Sequence, residues 1–243
     1  MIRFIIPVFN EEQNIERLLK NLSSYAESKK WIYKLYISDD GSRDDTVKIA
    51  LQMKNKMPLE IVKSEINMGP GSAFDKGFKA ILKEAGDNDI IVTMEADNTS
   101  DLDILEKMLV KTEEGNSVVL ASCYAKEGEV KGTTFLRKIL SGTANFLVKA
   151  MSRDKTIKTF SSFYRCYKAS VLRKAYEKYG DKFIEEKGFV CAVEILIKLL
   201  RLDVKTAEVP MILRCDKRAG KSKMKIFKTT MSYFKLFFRE AFK

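Results

Sequence analysis

The 243-residue chain contains no histidine. That removes Ser-His and Cys-His nucleophile pairs, histidine metal ligation and imidazole acid–base chemistry together. Any catalysis must use carboxylates, Lys and Arg, a metal ion, or a substrate that brings its own nucleophile. Cysteine is sparse: Cys123, Cys166, Cys191 and Cys215 are scattered, with no Cys-x-x-Cys pair. The spacing argues against a zinc site and a disulfide framework and suits a reducing cytoplasm. No run reaches about 18 uncharged apolar residues, so no transmembrane helix is predicted. A signal peptide is absent from the pattern too, since Met1-Ile2-Arg3-Phe4 leads straight into a strand-like run. Internal repeats and low-complexity linkers are also missing.

What is present supports an ordered domain. At 45% hydrophobic and 32% charged, the chain can build a sizeable core. Its net charge of +11 is unevenly placed. Residues 1–125 hold 16 Lys and Arg against 21 Asp and Glu, whereas residues 126–182 hold 14 against 5 and residues 214–243 hold 10 against 2. An acidic half followed by basic segments suggests cation binding first, and anion or surface binding later.

The first half alternates. Strand-like runs cover residues 3–7, 33–38, 59–63, 89–94 and 117–122, with helical patterns at 11–28, 44–57, 72–85 and 102–112 between them. Such alternation predicts an α/β fold with a mainly parallel central sheet flanked by helices. Ligands of such sheets bind beyond the carboxyl ends of the strands. Further on, 123–133 reads as a polar loop, 135–151 as a broadly apolar helix, and 152–168 as irregular or strand-like. Helices follow at 168–179 and 189–202, a last strand at 204–213, a basic loop at 214–223 and a final helix. The expected division is a catalytic domain over residues 1–224 and a basic amphipathic helix over 225–243.

Three acidic sets sit where strands should leave the sheet. Glu95-Ala96-Asp97 ends the apolar run Ile90-Ile91-Val92-Thr93-Met94. Carboxylates there can hold a divalent cation, and that cation can bind a diphosphate. Asp39-Asp40-Gly41-Ser42 follows Leu35-Tyr36-Ile37. Ser42 or Asp44 can cap the next helix, but capping does not account for both Asp39 and Asp40, and a carboxylate there can bond a base edge or ribose hydroxyl. The third set is Asn10-Glu11-Glu12, after Phe4-Ile5-Ile6-Pro7-Val8-Phe9.

Asn67-Met68-Gly69-Pro70-Gly71-Ser72 is a glycine-rich loop entering a helix, as a turn or as a close approach to a ligand. It is neither a Walker loop nor a Rossmann fingerprint. The loop at 214–223 is either solvated surface or a basic flap over a diphosphate. In the last segment Lys225, Lys228, Thr229, Ser232, Lys235, Arg239 and Lys243 recur at helical spacing among aromatic residues. That composition can pack on the core or oligomerise, and it suits an anionic bilayer surface. Nucleic acid is the poorer reading of the basic segments, since the acidic half and the lack of a binding motif argue against such a partner.

As a set these residues resemble the family-two glycosyltransferases, and among them the polyprenyl-phosphate sugar synthases of the dolichol-phosphate mannose synthase type. The resemblance runs through Pro7-Val8-Phe9-Asn10-Glu11, Asp39-Asp40-Gly41-Ser42, Asn67-Met68-Gly69 with Gly77-Phe78, Glu95-Ala96-Asp97 and Arg218-Ala219-Gly220-Lys221-Ser222-Lys223. It implies a GT-A fold and an inverting, metal-dependent hexosyltransferase that uses a nucleotide-sugar donor. By that resemblance Pro7, Phe9, Glu11 and Asp39 line the nucleoside pocket, with Asp40 beside them. Glu95 and Asp97 stand where the family's Asp-x-Asp holds Mg²⁺ or Mn²⁺. Arg218, Ser222 and Lys223 stand in its loop over the phosphates, and Arg137 and Ser141 match positions near the acceptor phosphate, with Arg165 a second candidate.

The chain departs from the family at Glu95, which replaces the usual Asp. Cys123 stands where an acceptor-phosphate Arg is common, and Thr159 and Phe163 replace an Asp and a Gly. The implied activity is transfer to a polyprenyl phosphate by an enzyme peripheral on the cytoplasmic membrane face, with room for a membrane-protein partner. Catalysis then falls to Asp97, Arg137 and Arg218. The alternative is transfer to a hydroxyl in cell-surface glycan or polysaccharide synthesis, which requires a base. Glu194 lies near where such enzymes carry one, although a salt-bridged helix residue is the other meaning of that position. A nucleotidyltransferase is disfavoured because Pro7 to Glu12 is not a Gly-rich basic loop, and a non-catalytic binding protein would not need both acidic sets and the basic loop.

Overall fold

The structure, a computed structural model, describes residues 1–132, 145, 148–149, 154, 156–215 and 226–241. The strands are β1 (Ile2–Val8), β2 (Tyr33–Asp39), β3 (Leu59–Lys63), β4 (Ile90–Thr93), β5 (Val118–Ser122), β6 (Glu129–Lys131), β7 (Arg165–Lys168), β8 (Thr206–Pro210) and β9 (Ile212–Arg214). The helices, numbered here among the described residues, are α1 (Ile15–Ser28), α2 (Thr46–Met53), α3 (Pro70–Leu82), α4 (Leu102–Glu113), α5 (Ala169–Tyr179), α6 (Cys191–Leu200) and α7 (Ile226–Ala241).

The main sheet runs β3-β2-β1-β4-β7-β5-β8. All neighbours are parallel except β7, which pairs antiparallel with both β4 and β5. Its strands are apolar on both faces because helices cover both. Phe4, Ile6 and Val8 of β1 enter one core with Leu18, Leu19 and Leu105, from α1 and α4. Ile5 enters the other with Phe74, Phe78, Leu172 and Leu196, from α3, α5 and α6.

Expected and observed elements correspond closely in the first half, with two differences beyond it. The polar loop at 123–133 contains β6, and the single strand at 204–213 is two. Pro210 ends β8 because it has no N–H for the ladder. Met211 N then bonds Ser122 O (3.0 Å), and the chain continues as β9, parallel to β6 in a separate two-stranded sheet. The helix expected at 135–151 lies almost wholly outside the described residues.

Candidate active site

β1 and β2 end level: Val8 is the register partner of Asp39, and Asp40 N bonds Val8 O at 2.9 Å. The two loops leaving them are interlocked. Asn10 turns the chain with φ 52°, a conformation Asn tolerates better than most residues. Its N–H donates to Ser42 Oγ (2.9 Å) and its Oδ1 accepts from Arg43 N (2.9 Å). Glu11 N donates to Thr46 Oγ1 at 2.7 Å, and Glu12 N to Asp44 Oδ2 at 3.2 Å. Phe9, Glu11 and Asp39 therefore sit on one rigid unit. Neither residue expected to cap α2 holds the N-cap position, which is Asp45 with no side-chain cap bond: Asp44, one residue earlier, accepts from Thr46 N (3.0 Å), and Ser42 is occupied by Asn10.

Asp39 and Asp40 do different things. Asp39 is fully buried and its carboxylate accepts from Ser42 N at 3.1 Å. Asp40 turns toward the glycine-rich loop and accepts from Met68 N (2.9 Å) and Gly69 N (2.6 Å). Burial lifts the Asp40 carboxyl above its ordinary value, and these two bonds hold it partly back. Asp40 thus anchors the glycine-rich loop. Gly41, between the two loops, has φ 76°, and a Cβ there would meet Ile66 C at 2.8 Å.

β4 lies beside β1, with Thr93 opposite Ile5, so its exit brings Glu95 and Asp97 next to the β1 loop. Asp97 is buried, and its Oδ1 accepts from Thr99 N (3.1 Å) and Thr99 Oγ1 (2.6 Å). Asn98, at φ 59°, donates from Nδ2 to Asn14 O at 3.2 Å, which ties this loop to the start of α1. Glu95 is half-buried. Two carboxylates are hard oxygen donors, and a pair of them suits a hard divalent cation such as Mg²⁺ or Mn²⁺.

On the other side of β4, Arg165, the second acceptor candidate, and the positions where the chain departs from the family take structural places. Arg165 is the clearest correction. It lies on β7, 1% exposed, with Nη1 on Ala192 O (2.8 Å) and Nη2 on Phe160 O (2.6 Å). Its charge holds main-chain carbonyls together and is not presented to a phosphate. Thr159 Oγ1 and Ser122 Oγ share a hydrogen bond of 2.7 Å. Phe163 stacks on Phe74 with centroids 5.2 Å apart. Cys123 is raised to about 11 by burial and is a thiol at neutral pH. Arg137, Ser141, Arg218, Ser222 and Lys223 lie outside the described residues.

Glu194 is fully buried on α6 and heavily engaged. Oε2 accepts from Glu185 N (2.9 Å) and Glu186 N (2.7 Å), while Oε1 meets Lys198 Nζ (2.8 Å) and Arg239 Nη2 (2.6 Å). Its salt-bridged meaning is the one the geometry supports. Lys198 four residues on was a visible sign. Arg239, from α7, carried no local sign. Nor did the Asn10–Ser42 and Glu11–Thr46 bonds, since each joins loops more than thirty residues apart.

A profile described as Glycosyl transferase family 2 matches residues 4–180. The chain is 30% identical over 240 residues to a dolichol-phosphate mannosyltransferase of Pyrococcus furiosus, covering 98% of this chain and 63% of that protein. It thus spans less than two thirds of the archaeal relative's length. It is 25% identical to a polyprenol monophosphomannose synthase of Mycolicibacterium smegmatis, covering 90% of this chain and 79% of that one. Among solved structures it superposes on glucosyl-3-phosphoglycerate synthase from Mycobacterium tuberculosis, in complex with Mn²⁺, UDP and glucosyl-3-phosphoglycerate. The TM-score is 0.64 with 19% identity, covering 99% of this chain and 80% of that one. This match places the architecture among the GT-A folds.

Proposed function

Because the chain belongs to glycosyl transferase family 2, we propose that it transfers a sugar, with inversion, from a nucleotide-diphosphate sugar to a polyprenyl phosphate. The observation that carries the donor half is the meeting of three acidic loops at one sheet edge. Asp39 and Glu11 sit on the interlocked β1 and β2 loops, beside Glu95 and Asp97. In this reading Pro7, Phe9, Glu11 and Asp39 bind the nucleoside, and Asp40 holds the loop behind it. Glu95 and Asp97 hold Mg²⁺ or Mn²⁺, which supplies charge neutralisation of the leaving diphosphate when bound. The Mn²⁺ and UDP named with the structural neighbour support that choice of donor chemistry. Arg218, Ser222 and Lys223 close over the diphosphate, and Arg137 positions the acceptor.

The acceptor half rests on the named relatives and on Glu194. With both oxygens taken by two amides and two cations, Glu194 is poorly placed to collect a proton. A phosphate oxygen is already anionic, so transfer to it needs positioning and charge neutralisation but no strong base. Residues 1–224 carry this chemistry. Residues 225–243 supply peripheral membrane contact: α7 buries Leu236 and Glu240 inward and exposes Met231, Phe234 and Phe238 with Lys235 outward. Among the described residues no helix is long and apolar enough to cross a membrane. A panel of UDP- and GDP-sugars with Mn²⁺ or Mg²⁺, assayed with and without polyprenyl phosphate, tests the proposal. Transfer confined to the reactions with the lipid phosphate is the expected result. Transfer to a glycan hydroxyl alone would overturn it.

A further inference from the structure

We infer that Arg239, on the C-terminal helix, is a positioning residue for the donor-nucleotide pocket, acting through Glu194 and two interlocked loops. The inference rests on the donor-site reading above. Arg239 meets four carboxylates: Glu194 at 2.6 Å, Glu186 at 3.2 Å, its neighbour Glu240 at 3.3 Å and Glu185 at 3.8 Å. Glu194 is a costly residue to bury, with Val193 and Ile195 buried on either side of it. Its charge is used to hold the main-chain N–H groups of Glu185 and Glu186, which fixes the course of residues 185–188.

That loop in turn carries the glycine-rich loop. Lys187 O accepts from Gly71 N at 2.9 Å. A Cβ on Gly69 would fall on the Lys187 carbonyl, and one on Gly71 on the Glu186 carbonyl, so the two loops touch backbone to backbone. Gly69 has φ 100° and admits no ordinary side chain. On its far side the glycine-rich loop gives Met68 N and Gly69 N to Asp40, next to Asp39 at the end of β2. A continuous set of charge-assisted and main-chain hydrogen bonds thus runs from α7 to the nucleoside end of the sheet. Each link joins backbone groups or a buried carboxylate, which leaves little slack for one end to move without the other.

Neighbouring Arg201 is the natural control. It bonds the Glu240 carboxylate, which Arg239 also meets at 3.3 Å, and the Glu240 main-chain oxygen at 2.9 Å, and so fastens the same end of α7 without itself touching Glu194. Full-length wild type, Arg239→Gln, Arg239→Lys and Arg201→Gln are compared by hydrogen exchange and by titration with UDP and GDP in Mn²⁺. In Arg239→Gln, exchange should accelerate in residues 185–188 and also in 67–71. Nucleoside diphosphate affinity should fall about fivefold or more. Arg239→Lys should recover part of both, and Arg201→Gln, which reaches Glu194 only through the shared Glu240, should change both much less, whatever either does to thermal stability. Acceleration confined to 185–188, or equal donor-site effects in Arg201→Gln, would overturn the inference. If wild type bound neither nucleotide while 67–71 still loosened in Arg239→Gln, the coupling would stand, but the donor-pocket assignment would fall and this inference with it.

Discussion

Replacing Glu194 by Gln separates a structural carboxylate from a catalytic base. The amide oxygen can still accept from Glu185 N and Glu186 N, but the amide N–H₂ then faces Lys198 and Arg239, both donors. Breaking a buried ion pair costs about 3–5 kcal/mol. Here the cations keep other partners, since Lys198 also bonds Lys182 O and Glu185, and Arg239 also meets Glu186. We therefore expect a loss of about 2–3 kcal/mol, or roughly 4–12 °C in Tm for a chain of this size. Scanning calorimetry measures that shift. Transfer is then assayed well below the variant's Tm at saturating donor and acceptor. A structural role predicts kcat within about tenfold of wild type, with the loss appearing in donor KM. Removal of a general base lowers kcat by about 10²–10⁴. A fall of that size, with folding and nucleotide binding intact, would refute the phosphate-acceptor reasoning and favour a hydroxyl acceptor.

Asp97→Ala should abolish the gain in nucleoside diphosphate affinity that Mg²⁺ or Mn²⁺ confers, and calorimetry giving equal wild-type affinity in EDTA would remove the metal assignment. Arg137→Ala should reduce transfer far more than it reduces donor binding, measured by initial rates beside nucleotide titration. Phe234→Glu with Phe238→Glu, both exposed in α7, should weaken partitioning onto anionic liposomes by about 2–4 kcal/mol, roughly 30- to 1000-fold, and unchanged sedimentation would place the membrane contact elsewhere. Burial alone would raise the Asp89 carboxyl, but bonds from Arg3 (2.7 Å), the terminal amine and Gly86 N outweigh it and hold it below its ordinary value. Its stabilising share is therefore full above the unfolded carboxylate range, near ~3.9, and is lost as pH falls through the lower folded value. Asp89→Asn should cost about 2–3 kcal/mol at neutral pH and flatten the acid limb of a stability-against-pH curve, and an unaltered limb would refute this.

The architecture was legible wherever a segment's own periodicity decides its faces. Runs such as Phe4 to Val8 and Leu35 to Ile37 are apolar on both sides, and helical patterns follow them. That suffices to specify a parallel sheet with both faces covered, and to place Glu11, Asp39, Glu95 and Asp97 beyond the carboxyl ends of its strands, the edge proposed above to take the donor. The lack of histidine and the acidic first half also restricted the chemistry before any fold was known. Local pattern could not say that β7 would run antiparallel between β4 and β5, because strand order follows from packing between segments distant in the chain. Nor could it separate adjacent or similar charges by task. Asp39 faces Ser42 while Asp40 reaches a loop 28 residues on. Arg165 turns into the core, and Arg239 turns away from the basic face expected of its helix to meet Glu194, 45 residues earlier. A carboxylate or guanidinium carries the same charge wherever it stands. Only the tertiary structure, by burying one group beside its partners and leaving another at an edge, determines whether that charge fastens the fold or meets a substrate.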